Sequence, residues 1–104
     1  MVYEIVWTFK AINSYAQNME YLQNNWTERE IRNFIAAVEI RLEILALQPL
    51  IGAPQSKRNK NIRQTIINKR ISLIYRVKPR KKQIELILFW NTYQNPVRLK
   101  SATM

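Results

Sequence analysis

The sequence predicts an α+β fold in which a two-helix hairpin packs on a mainly antiparallel sheet, in the order β-α-α-β-β-β. Three observations predict it. A short alternating run opens the chain, two stretches with apolar residues at helical spacing follow, and three runs rich in Ile, Leu, Val and aromatic residues come last, separated by short basic turns. A chain of 104 residues is expected to form one domain, residues 1–104, because single cores usually take about 100 to 150 residues.

The elements are justified in order. Val2, Glu4 and Val6 alternate with Tyr3, Ile5 and Trp7, which is the period of a strand. Thr8 is placed to cap a helix whose apolar positions are Phe9, Ile12, Ala16, Met19, Leu22 and Trp26. Thr27 and Glu30 form the Thr-x-x-Glu pattern of a capping box and open a second helix with the stripe Ile31, Phe34, Ile35, Val38, Leu42 and Leu45. Pro49, which has no N–H to donate, stops it. The link Asn24-Asn25-Trp26 is short enough to require an antiparallel helical hairpin.

A loop from Gln48 to Asn61 carries the only glycine, Gly52, and the basic run Lys57-Arg58-Asn59-Lys60. Strands are expected at Ile62–Ile67, Ile71–Val77 and Gln83–Trp90. A two-residue turn at Asn68-Lys69 sets Ile66 opposite Ile71 and Gln64 opposite Leu73. A turn centred on Arg80-Lys81 sets Val77 opposite Ile84 and Arg76 opposite Glu85. In these registers Ile62, Ile66, Ile71, Leu73, Tyr75, Val77, Ile84, Leu86, Leu88 and Trp90 face the helices. Arg63, Thr65, Ile67, Ser72, Ile74, Arg76, Glu85, Ile87 and Phe89 form a half-polar second face on which a binding site would sit.

Composition removes several function classes. At 47% hydrophobic residues the chain is not a disordered one. No apolar run approaches the roughly 20 residues that span a bilayer, and the start MVYEIVWTFK does not read as a signal peptide, so a cytoplasmic protein without membrane contact is expected. Cysteine and histidine are both absent, which removes thiolate nucleophiles, Cys/His zinc sites and the commonest general base. No metal site and no cofactor are expected.

Charge is unevenly placed. Thirteen of the 17 basic residues lie from Leu45 onward, where Glu85 is the single acid, and six of the seven acids precede it. A half so biased faces something anionic, either nucleic acid or an acidic protein.

The opening strand ending in Trp7, the helical hairpin ending in LALQP, and the segments IRQTII, LIYRV, IELILFW and NTYQNPVRL occur in this order along the whole chain. In that order they resemble the RelE/ParE toxins of bacterial toxin–antitoxin systems. The resemblance implies a toxin that inhibits growth, is associated with plasmid stabilization and is neutralised by a small cognate antitoxin. RelE-like members cut messenger RNA on the ribosome without a metal, and ParE-like members poison DNA gyrase.

In RelE-like nucleases, basic groups of the later strands and the tail, with a late tyrosine, act on the scissile phosphate. The resemblance therefore makes Arg63, Arg76 and Tyr93 the catalytic candidates. This chain departs from the pattern twice, with Ser72 near the place of a strand arginine and Tyr93 where related tails carry an arginine. Those departures favour a ParE-like or catalytically degenerate toxin over a ribosome-dependent mRNA endoribonuclease. A non-enzymatic nucleic-acid-binding module is the third reading. For partner or nucleic-acid binding the candidates are Lys57, Arg58, Lys60, Arg63, Lys81, Lys82 and Arg98. Arg76 also has a purely structural role open to it, pairing with Glu85, and Tyr75 shares a face with Leu73 and Val77 and is read as core.

Overall fold

The computed structural model describes residues 2–91. The chain runs through β1 (Glu4–Trp7), α1 (Phe9–Asn25), α2 (Glu28–Leu47), β2 (Ala53–Pro54), β3 (Ile62–Ile66), β4 (Ile71–Lys78) and β5 (Gln83–Asn91). The five strands form one sheet in the order β1-β5-β4-β3-β2. β1 runs parallel to β5 and every other pair is antiparallel. The expected α+β architecture is present, with the two-residue β2 added from within the long loop.

Both helix starts follow from threonine. Thr8 Oγ1 accepts the N–H of Ala11 at 3.0 Å and donates to the carbonyl of Leu86 at 2.7 Å, so one hydroxyl caps α1 and ties it to β5. Thr27 Oγ1 accepts from Glu30 N and Glu30 Oε1 accepts from Thr27 N, both at 3.2 Å, which completes the capping box. Such a cap typically contributes about 1 kcal/mol.

The core joins Leu22 of α1 and Phe34, Val38 and Leu45 of α2 to Ile71, Leu73, Tyr75, Val77, Ile84, Leu86 and Phe89 on one face of the sheet. The stripe expected for α2 is the one that points inward. The stripe expected for α1 holds in its second half, where Leu22 is buried and Met19 and Trp26 pack against the core, but not in its first: Phe9 is 79% and Ile12 51% exposed, whereas Ala11, Ser14 and Asn18 are buried. The cause lies in β5, which extends past the end of β1 and leaves backbone groups of Phe89 without a strand partner on that side. Ser14 Oγ accepts the N–H of Phe89 at 2.9 Å, and Asn18 Nδ2 donates to its carbonyl at 3.1 Å. Two polar side chains of α1 thus take the place of a neighbouring strand, satisfying groups that would otherwise be buried unpaired.

Two registers differ from expectation. The β3–β4 connection is one residue longer than a two-residue turn, because Asn68 Oδ1 accepts from both Arg70 N and Ile71 N at 3.0 and 2.9 Å. Thr65 therefore lies opposite Leu73 and Arg63 opposite Tyr75. A shift of one residue exchanges the faces of a whole strand, so Arg63 and Thr65 point to the helix side and Ile62 and Ile66 to the far side, Ile66 being 63% exposed.

β4 and β5 begin in the expected register, with Val77 opposite Ile84 and Arg76 opposite Glu85. A bulge then passes over Ile87, so that Leu73 faces Phe89 and Ser72 faces Trp90. Phe89 consequently enters the core while Leu88 and Trp90 turn to the far side, where Trp90 is buried outside the main core cluster.

Candidate functional site

The loop after α2 is held by the helix-facing side of β3 and β4. Tyr75, fully buried, donates its phenol hydrogen to the carbonyl of Pro49 at 2.8 Å and accepts the N–H of Gly52 at 3.0 Å. Arg63, its cross-strand neighbour, donates from one guanidinium nitrogen to the carbonyls of Leu50 and Gly52 at 3.2 and 2.7 Å. Burial pushes the Tyr75 hydroxyl above its ordinary value of 10.0, against the smaller opposing pull of the Gly52 N–H, Arg63 and Arg41. Tyr75 and Arg63 together fix the path of residues 49–52. Tyr75 is core, as its position between Leu73 and Val77 predicts.

Arg76 lies on the other side of the sheet. Glu85 pairs with it across the strands at 3.5 Å through Oε1 and with Lys78 at 3.0 Å through Oε2. The pairing that the sequence offered for Arg76 is present, and the carboxylate is shared between two cations. Arg63 and Arg76, taken together as catalytic candidates on one face, are thus separated by the sheet itself. Tyr93 and Arg98 lie outside the described residues.

The remaining binding candidates among the described residues lie in two segments, Lys57, Arg58 and Lys60 in the loop before β3, and Lys81 and Lys82 in the β4–β5 turn. Pro79 O accepts from Lys82 N at 3.2 Å, closing the β4–β5 turn with Lys82 in the left-handed region (φ 56°). Lys82 Nζ lies over the Tyr3 ring, 5.8 Å from its centroid, which draws it towards β1. Beside the turn is a groove of about 540 Å³ lined by Asn59, Asn61, Arg76, Lys78, Arg80 and Lys81 among others. Lys57, Arg58 and Lys60 belong to the segment that forms its outer wall. Arg76, Lys78 and Arg80 were not assigned to one binding surface from the sequence. The signal was available in the expected register, since a turn at Arg80-Lys81 puts Arg76 and Lys78 on the strand leading into it.

Among the described residues no group of three His, Cys, Asp or Glu side chains could hold a metal ion. No helix among them is long and apolar enough to cross a membrane.

A two-helix layer on a five-stranded, mainly antiparallel sheet with a parallel first strand defines a class of small α+β proteins, and solved structures similar to this chain include a toxin–antitoxin complex and two toxins. A chain of the RelBE2 toxin–antitoxin complex from Mycobacterium tuberculosis matches with a TM-score of 0.63 at 16% identity, over 88% of this chain and 99% of that one. A YoeB/ParE toxin from Agrobacterium tumefaciens matches with a TM-score of 0.60 at 16% identity, over 85% and 96%. The Escherichia coli toxin RelE, in a free form carrying two arginine-to-alanine substitutions, matches with a TM-score of 0.64 at 12% identity, over 99% and 97%. The chain has the RelE/ParE toxin fold that its sequence resembles. No protein-family model and no curated protein sequence matches it.

Proposed function

We propose that this protein is the toxin of a type II toxin–antitoxin pair, held inactive by a small cognate antitoxin, and that it acts without cutting RNA. It would be either ParE-like, directed at DNA gyrase, or catalytically degenerate. The toxin role is supported by the fold shared with the three toxins, one of them solved in a toxin–antitoxin complex. The strong positive bias of the second half suits an acidic antitoxin segment, which can wrap a small domain and match its charge.

The observation that carries the preference against cleavage is the separation of Arg63 from Arg76. Cleaving a phosphodiester without a metal or histidine requires several fixed donors aimed at the charge that develops on one phosphate. Arg63 is committed to the carbonyls of Leu50 and Gly52 on the helix side, and Arg76 shares Glu85 on the far side. The alternative, a ribosome-dependent endoribonuclease using Arg63, Arg76 and Tyr93, would then rest on Arg76 and Tyr93.

Inducible expression in bacteria, with and without the small gene adjacent to it, tests the reading. Growth arrest relieved by the partner is expected, with transcripts intact and gyrase–DNA complexes accumulating if the action is ParE-like. Unimpaired growth on strong expression would overturn the toxin reading. Rapid transcript cleavage would replace the preferred activity with the alternative one.

A further inference from the structure

The groove at the β4–β5 turn combines three properties that the toxin reading does not use. Four of its cations fall within one short stretch of the chain: Arg76 and Lys78 at the end of β4, Arg80 and Lys81 in the turn that follows. Among the described residues no carboxylate lines the groove, and the neighbouring Glu85 is already shared by Arg76 and Lys78. Arg80 and Lys81 are exposed and make no ion pair among the described residues. A surface concentrating positive charge in a concavity attracts an anionic chain more strongly than the same charges spread out.

The opposite wall is fixed in place. Asn61 O accepts the N–H of Val77 at 2.8 Å, and Gln55 N donates to Ile62 O at 2.9 Å, so the 55–62 segment is anchored to β3 and β4. Asn59 turns its side-chain oxygen back to Asn61 N at 3.1 Å, which leaves its amide NH₂ as a donor at the groove. A wall already ordered before binding costs less to engage than one ordered by the ligand.

We propose that this groove binds the phosphodiester backbone of a nucleic acid, without reading its sequence. The polar groups of the lining are guanidinium, ammonium and amide donors, the groups that contact phosphate. It contains no aromatic ring on which a base could stack, so the contacts have no sequence preference. An acidic peptide fits less well, because peptide affinity comes mainly from side chains anchored in desolvated pockets, and the apolar residues of the lining are Val77, which is buried, and Pro79, which stands exposed in the turn. A phosphate polymer needs no such anchor, since release of its condensed counterions drives the association. The inference does not depend on the protein's being a toxin.

The test uses the full chain made by cell-free synthesis and fluorescence anisotropy with labelled single-stranded RNA, single-stranded DNA and duplex DNA of mixed sequence. Affinity should fall as salt rises from about 50 to about 200 mM, with a slope of about 0.7 per neutralised phosphate for single strands. Arg80→Glu with Lys81→Glu should weaken binding at least tenfold and make the slope shallower. Arg80→Gln with Lys81→Gln should do the same to a smaller degree, and melting curves establish that both variants fold. Lys10→Glu with Arg29→Glu, which changes net charge equally on the helices, should leave the slope unchanged. Comparing the three probes shows which nucleic acid the groove prefers. The proposal is overturned if no probe binds, if the helix variant weakens binding as much as the turn variant, or if polyglutamate displaces the probe at equal charge concentration. Growth arrest is read separately, so a failure here does not count against the toxin reading.

Discussion

The phenol oxygen of Tyr75 accepts the backbone N–H of Gly52 at 3.0 Å, and a Cβ on Gly52 would stand 2.6 Å from that same oxygen. The glycine is therefore required by close approach and not by its own backbone angles, since no glycine has positive φ. Gly52→Ala should destabilise the fold by about 1–3 kcal/mol, the usual cost of overfilling a packed site. Tyr75→Phe should cost about 1–3 kcal/mol by leaving Gly52 N–H and Pro49 O unpaired. In urea unfolding the double variant should cost less than the sum of the two, because removing the oxygen relieves part of the clash. Strict additivity would mean that the two residues do not press on each other.

Alkaline pH should destabilise the protein through its buried tyrosines. Burial raises both Tyr75 and Tyr15 above 10.0, with Glu39 adding to the effect at Tyr15. A raised value in the folded state means that the unfolded chain releases these protons first. Stability is then fully present below pH 10 and is lost as pH climbs through the folded values. Melting curves across that range should show a steeper decline for the unmodified protein than for Tyr75→Phe. An identical decline in both would remove Tyr75 from the account.

Replacing the two polar residues of α1 should open the edge of β5. Ser14→Ala and Asn18→Leu each leave one backbone group of Phe89 buried without its partner, at about 1–3 kcal/mol apiece. Amide hydrogen exchange should register Ser14→Ala at Phe89 in particular, because that N–H donates to Ser14 Oγ. Unchanged protection there would contradict the bond.

Arg63→Ala separates the two activities. On the reading preferred here it loosens residues 49–52 and lowers stability, while transcripts in translating cells stay intact with either protein. If the unmodified chain does cleave messenger RNA and Arg63→Ala slows cleavage by roughly 100-fold, the loss expected for one transition-state donor, Arg63 is catalytic and the endoribonuclease reading replaces this one.

Much of the fold was legible because its signals are local. The capping box at Thr27 and Glu30 is written in four residues, and the turn at Arg80-Lys81 fixes the start of the β4–β5 register. What escaped depends on contacts between distant segments. Asn68 suits a short turn or a longer one equally well until its side chain is seen to accept two N–H groups, and that one residue decides which face Arg63 occupies. The isoleucines of β3 misled in the same way, since Ile62 and Ile66 appeared to demand the core that Thr65 occupies. Ser14 and Asn18 carry no apolar signal, and their burial is explained only once Phe89 is placed beside them. For the candidate site, the basic bias of the second half and the meeting of β4 with the following turn were both legible in the sequence, but the division of Arg63 from Arg76 follows from the β3–β4 register, which Asn68 decides.

The parallel pairing of β1 with β5 also dictates when the protein can become whole. Thr8 and Leu86, joined by a hydrogen bond, are 78 positions apart in the chain, and β5 lies between β1 and β4 in the sheet. During synthesis the first strand has no neighbour, and Ser14 and Asn18 have no backbone to bond, until β5 has left the ribosome. Contacts of such long sequence separation form only after the entropy of closing the intervening chain has been overcome. A nascent chain therefore carries an unpaired edge and an uncovered helix until β5 has emerged.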